Sequence, residues 1–196
     1  MKTTLIDSPV ANVANIARAL RVAGAELEVT RDPVAIAGAR KLVLPGVGSF
    51  IAAMRWLTEN KIDTAIQEAV NRGASLLGVC VGHQLLFDSS SEMGNTPGLG
   101  LVRGEVHKFD DVLPVPQIGW NRVAARGPLF EGVEDGVFYF VNSYAASDAP
   151  DEIARADYGG SFTAAVQRER VFGVQFHPEK SSAAGLRVLR NYIAWT

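Results

Sequence analysis

At 196 residues and 21.0 kDa, the chain has room for one well-filled core and scarcely for two. Lys+Arg 19 against Asp+Glu 21 leaves a net charge of -2, which offers neither the basic footprint of a nucleic-acid binder nor an acidic tail. No apolar run approaches the ~20 residues that span a bilayer. The N-terminus turns polar at Asp7 before a signal-peptide core develops, and a lone Cys makes no internal disulfide. A single cytoplasmic domain over residues 1–196 is expected.

Residues 3–6 are a short apolar run, and Val13, Ile16, Ala17 and Leu20 then recur at helical spacing up to Gly24. A β-like stretch at 26–30 and an apolar strand at 41–44 follow, the second stopped by Pro45-Gly46-Val47-Gly48. Residues 51–57 and 62–70 read as helical, and 75–79 as another apolar strand running into Cys80, followed by a helical-looking stretch at 83–87. From Gly94 onward Gly and Pro separate β-rich segments at 104–109, 119–123, 137–142, 163–167 and 171–176, and residues 181–195 form a closing amphipathic helix. The fold class expected is α/β: a mostly parallel sheet sandwiched by helices, with a smaller antiparallel β extension in the second half. Function then belongs at the carboxyl ends of the parallel strands.

The only Cys stands in Gly78-Val79-Cys80-Val81-Gly82, between an apolar strand and a helical stretch. This is the pattern of a nucleophile elbow: the reactive side chain occupies the apex of an abrupt strand-to-helix turn, and the glycines let the two backbones approach. The following helix would aim its N-terminus at the sulfur and favour the thiolate. A buried structural Cys is the competing reading. A thiol nucleophile needs a base, and the base needs a third group to hold it. Of the three histidines, His83 would project down the helix and His107 lies among charged residues as a solvated side chain would. His177 ends the strand 171–176 as Cys80 ends its own, with Glu179 two residues on. Parallel strands would bring both ends to one sheet edge.

One Cys and three scattered His lack the paired spacing of a zinc site, and neither Gly-rich loop is followed by the Lys-Ser/Thr of a phosphate loop. No metal or cofactor is expected. An acyl-transfer site needs two backbone N–H groups for the oxyanion; Val81 supplies one and the loop carrying Val47 and Gly48 is placed for the other.

The strings Gly78-Val79-Cys80-Val81-Gly82-His83-Gln84 and Gly173-Val174-Gln175-Phe176-His177-Pro178-Glu179-Lys180-Ser181 resemble those of the class I (triad) glutamine amidotransferases, in order and in separation. Four more strings carry the resemblance over nearly the whole chain: Pro45-Gly46-Val47-Gly48-Ser49-Phe50 with Ala53-Met54 behind it, Gly98-Leu99-Gly100-Leu101, Pro116-Gln117-Ile118-Gly119-Trp120-Asn121, and Tyr139-Phe140-Val141-Asn142-Ser143-Tyr144. Within the family they are most similar to the glutaminase subunits of imidazole glycerol phosphate synthases, of histidine biosynthesis. Glutaminases of anthranilate, GMP, carbamoyl phosphate and pyridoxal phosphate synthesis share the Cys and His strings but not Ile-Gly-Trp-Asn.

The resemblance implies that Cys80 attacks the carboxamide of L-glutamine, His177 shuttles the proton and Glu179 orients His177. It implies that Gln84 and Glu92 hold the α-amino and α-carboxylate groups of glutamine, with backbone at Asn142, Ser143 and Tyr144 completing the pocket. It further implies a heterodimer with a (β/α)8-barrel synthase subunit that receives the ammonia, an interface at Asn12, Trp120 and Lys180, and inactivity until the Pro-Gly-Val-Gly loop reorients to place an N–H of Val47, with Gly46 and Gly48 permitting the flip. A glutaminase of another synthase and a catalytically silent homologue are the alternatives. Two departures stand out. The family's Asp-Tyr-Gly-x-Gly-Asn is here Asp7-Ser8-Pro9-Val10-Ala11-Asn12, where Pro9 gives the loop a different course. Asn142 stands where a His is common, so no imidazole role carries over.

Overall fold

The computed structural model describes residues 2–9, 11–110 and 112–195. Val10, within the departing loop, lies outside the described residues. Elements run in the order β1 (Lys2–Ile6), α1 (Val13–Val22), β2 (Glu26–Thr30), α2 (Pro33–Gly38), β3 (Lys41–Gly46), α3 (Phe50–Glu59), α4 (Ile62–Asn71), β4 (Ser75–Cys80) and α5 (Val81–Gln84). Then come β5 (Ser89–Ser90), β6 (Thr96–Pro97), β7 (Glu105–Lys108), β8 (Gln117–Arg122), β9 (Ala124–Ala125), β10 (Val137–Asn142) and β11 (Tyr144–Ala146). The chain finishes with β12 (Glu152–Asp157), β13 (Ser161–Arg168), β14 (Val171–Val174) and α6 (Ser182–Ala194).

The main sheet has eight strands in the order β2-β1-β3-β4-β14-β13-β12-β9. The first five are parallel and the rest antiparallel. The β-rich second half thus partly extends the parallel sheet, and the remainder forms a β10-β8 ribbon and a four-stranded sheet β11-β7-β5-β6. That last sheet is mixed, because β5 and β7 run parallel. Strands β3 and β4 are buried along their whole length, as strands covered by helices on both faces must be.

Three helices start where a side chain satisfies an orphan backbone N–H: Asn12 for α1, Asp32 for α2 and Ser49 for α3. Helix α2 and the strands β11 and β12 escape the periodicity reading, since each is six residues or shorter and carries few large apolar side chains. The helical stretch expected at 83–87 is instead the single turn α5, Val81–Gln84, giving way to turns before Ser89.

At the amino end of the sheet the fold is closed by polar contacts. Buried Lys41 donates to the carbonyls of Tyr192, Ile193 and Trp195 at 2.8, 2.8 and 2.6 Å, so its ammonium caps the last turn of α6 where free carbonyls point. The Tyr192 hydroxyl reaches Leu42 O at 2.6 Å and lies 3.0 Å from Ser75 O, so α6 is fastened to both β3 and β4. Toward the carboxyl end, Phe138 stacks on Phe176 with centroids 4.1 Å apart, and Phe130 and Phe140 meet Phe176 edge-on. This aromatic cluster fixes Phe176, and with it the backbone leading into His177. No helix among the described residues is long and apolar enough to cross a membrane.

Candidate active site

Strand β4 runs into Cys80, whose φ of 55° and ψ of -111° are a conformation that a non-glycine residue adopts only under constraint. Such a backbone costs about 1–3 kcal/mol and persists because the surroundings enforce it. The enforcing contacts are close. A Cβ on Gly78 would come within 2.5 Å of Gly82 O, and one on Gly82 within 1.9 Å of Leu44 O. The elbow is therefore wedged between its own strand and β3, and only glycine fits at either side of Cys80. The helix behind the sulfur is one turn long, so it aims far less dipole at the sulfur than the full helix expected there would.

His177 follows β14, which pairs in parallel with β4, so both strand ends open at the same edge. Its backbone N–H donates to Tyr139 O at 2.8 Å, and Ser181 Oγ donates to its carbonyl at 2.6 Å. The ring Nδ1 lies 2.8 Å from Glu179 Oε1, with both side chains about 5% exposed or less. Burial alone would lower the imidazole pKa, but hydrogen bonds to Cys80 and Glu179 and their charge outweigh it and raise it to about 10. The ring is thus held as an imidazolium beside the sulfur. Cys80 Sγ itself faces Val141 O at 3.7 Å.

These residues open into a cavity of about 500 Å³, ordinary for a small-molecule site. It is lined by Asn12, Val47, Gly48, Cys80, Val81, Gln84, Glu92, Asn142, Ser143, Tyr144, His177 and Lys180, together with Pro116 and Val141. Glu179 stands behind His177, and Trp120 lies outside on β8. Gln84 Nε2 donates to Tyr144 O at 2.8 Å and Gln175 Oε1 at 2.9 Å, which uses both amide hydrogens. Asn142 Nδ2 donates to the same Tyr144 carbonyl at 3.0 Å, while its Oδ1 is buried with no partner among the described residues. Glu92 accepts the Phe50 N–H at 2.6 Å, so the carboxylate at the cavity wall is anchored on the first turn of α3. The loop glycines differ. Gly48 has φ 83° in open space, whereas a Cβ on Gly46 would meet Gly82 N at 2.8 Å. Freedom to reorient that loop lies at Gly48, and Gly46 is required for packing.

The model of the class-I glutamine amidotransferases matches residues 4–194. The chain belongs to that family. Among curated relatives, the imidazole glycerol phosphate synthase subunit HisH of Symbiobacterium thermophilum is 44% identical over 97% of this chain and 92% of its own. That of Thermococcus kodakarensis is 47% identical over 96% and 97%. Solved structures agree in fold: a glutamine amidotransferase superposes with a TM-score of 0.76 at 19% identity, covering 97% of each chain. PurLQS from Thermotoga maritima does so at 0.74 and 18%, covering 98% of each.

For this amidotransferase, two histidines stay outside the site, as read from the sequence. His107 is exposed on β7, 3.5 Å from Glu105. His83 is fully buried, and its ring faces Phe87 edge-on. No group of three or more His, Cys, Asp or Glu among the described residues could hold a metal ion. Sequence reasoning missed Gln175, which holds Gln84, and Val141 and Pro116 in the cavity wall. Gln175 sits two residues before His177 in the quoted string, and that spacing was the available signal. Trp120 is 54% exposed and so is not the core residue that was its alternative reading.

Proposed function

We propose that this chain is the glutaminase subunit of an imidazole glycerol phosphate synthase and releases ammonia from L-glutamine with the Cys80, His177 and Glu179 set. The observation that carries the chemistry is the strained Cys80 elbow sharing one buried edge with a Glu179-held His177. Sγ attacks the glutamine carboxamide carbon, and the tetrahedral oxyanion is met by N–H groups of Val81 and of the loop at Val47 and Gly48. The imidazolium gives its proton to the leaving nitrogen, so ammonia departs and a thioester remains. Water then adds to the thioester with His177 as base, the C–S bond breaks, and glutamate is released as the thiol is regenerated. Gln84, whose amide hydrogens are both committed, presents its carbonyl oxygen to the α-ammonium, which Glu92 also attracts. Backbone at Asn142, Ser143 and Tyr144 receives the α-carboxylate.

Ammonia has value to a synthase only if it bypasses bulk water, so a sealed subunit contact belongs to the mechanism. The β8/β10 ribbon suits it. Ile118, Trp120 and Val137 are 64%, 54% and 41% exposed on its outer face, beside the cavity wall at Val141. Trp120 stands edge-on to Tyr139, and Lys180 Nζ lies 5.6 Å over the Tyr139 ring. A (β/α)8-barrel synthase subunit seated here would cover an apolar anchor of the kind that dominates interfaces. Asn12, which caps α1 through Asn15 N at 3.3 Å, completes the rim. The test is a titration of this chain with that barrel subunit while following glutamate release. Binding that depends on Trp120 and stimulates release supports the assignment; a glutaminase indifferent to the barrel belongs to another synthase.

A further inference from the structure

The buried His83 has no part in the chemistry above, yet its seat is unusually specific. Gly173 of β14 and Gly78 of β4 are cross-strand partners, and the turn α5 lies over both. A Cβ on Gly78 would come 2.9 Å from His83 Cα, and one on Gly173 would come 2.3 Å from His83 Nδ1. The imidazole therefore fills a slot whose floor is the missing side chain of Gly173. Both ring nitrogens are buried with no hydrogen-bond partner among the described residues, a penalty that a hydrocarbon side chain would not carry. Burial holds the ring neutral, with a pKa lowered to about 3. What the position uses is the small flat shape of the ring, packed between Gly173 and the edge of Phe87 at 5.1 Å between centroids.

The consequence is geometric. Cys80 lies two residues beyond Gly78, and His177 four residues beyond Gly173. Whatever sets α5 against β14 at this rung sets the separation of nucleophile and base just above it. We propose that His83 is a positioning residue, a wedge seated on Gly173 that fixes the Cys80–His177 geometry. This rests on the reading of those two residues as nucleophile and base, but its test needs no glutamine.

Cys80 alkylation by iodoacetamide is followed against pH in the full chain and in Gly173→Ala, His83→Ala and the double variant, with thermal stability recorded for each. Only thiolate reacts, so the profile reports the sulfur–imidazole pair. Gly173→Ala, which drives a methyl into the ring, should slow alkylation at neutral pH about tenfold and move the profile to higher pH. His83→Ala should do so by less, and the double variant should match His83→Ala. Should Gly173→Ala fail to fold, folding regained in the double variant supports the contact. Additive losses, or melting temperatures that fall while the alkylation profile stays put, overturn the proposal. A wild-type profile no different from a free thiol overturns the Cys80–His177 pairing itself and the proposal with it. Absent glutamate release with an intact cycle overturns only the glutaminase reading.

Discussion

The two ends of the same parallel strands are built on opposite principles. At the amino end, buried Lys41 and Tyr192 have their polar atoms matched to five backbone carbonyls. At the carboxyl end, the polar atoms are left over. Of eight buried side-chain atoms without a partner among the described residues, four lie on or beside the Cys80 edge, one each on Gln117, Asn142, Gln175 and Glu179, and two are on His83 a rung below it. Thr3 Oγ1 and Trp195 Nε1 are the others. Native structures leave few such groups, and those that persist call for a reason. Strained Cys80 stands at the same edge. Polar contacts fasten the fold at one end, while backbone strain and more of the unmatched polarity gather toward the other.

Breaking the carboxyl end should therefore remove activity and spare the fold. Cys80→Ala is expected to abolish glutamine hydrolysis, at least about a thousandfold, in a chain that still folds. Next in size, Glu179→Gln keeps a partner for Nδ1 but removes the charge, and should lower kcat about a hundredfold. The pH dependence sharpens this. A pKa raised from the ordinary 6.5 to about 10 means that the stability contributed by protonated His177 is complete below about pH 6.5 and lost as pH rises through 10. The melting-temperature gap between wild type and His177→Gln should close over that window, and Glu179→Gln should close it at lower pH.

At the amino end the pattern should invert. Lys41→Met removes three charge-assisted hydrogen bonds to α6 and should destabilise by about 2–3 kcal/mol in urea unfolding, with kcat per folded molecule retained. Smallest is Trp120→Ala, expected to weaken the barrel subunit about tenfold in a binding titration. A Lys41 variant that lost turnover while fully folded would break the contrast between the ends.

The shape of the Cys80 edge was legible because its reasons are local. Gly78 and Gly82 flank Cys80 for a steric purpose visible in five residues, and His177 and Glu179 are two apart with Pro178 between them. The parallel sheet followed from alternating apolar strands and amphipathic helices. What stayed hidden joins distant segments: Glu92 on the Phe50 N–H, Gln175 on Gln84, Lys41 on the end of α6. No spacing announces a partner 151 residues away. The cavity-lining Gln84 and Glu92 were reached only by resemblance, since each alone reads as a solvated side chain. The one-turn α5 was overread because Leu85, Leu86 and Phe87 continue an apolar run into core turns that are buried without being helical.

The most direct measurement is glutamate release from L-glutamine by the purified chain, alone and with the barrel synthase subunit, with and without the synthase's nucleotide substrate. A low rate alone, a strong rise only with the liganded synthase, and no rate in any condition for Cys80→Ala are expected. Release that persists in Cys80→Ala, or that never occurs in wild type with the liganded partner, would contradict the proposed function.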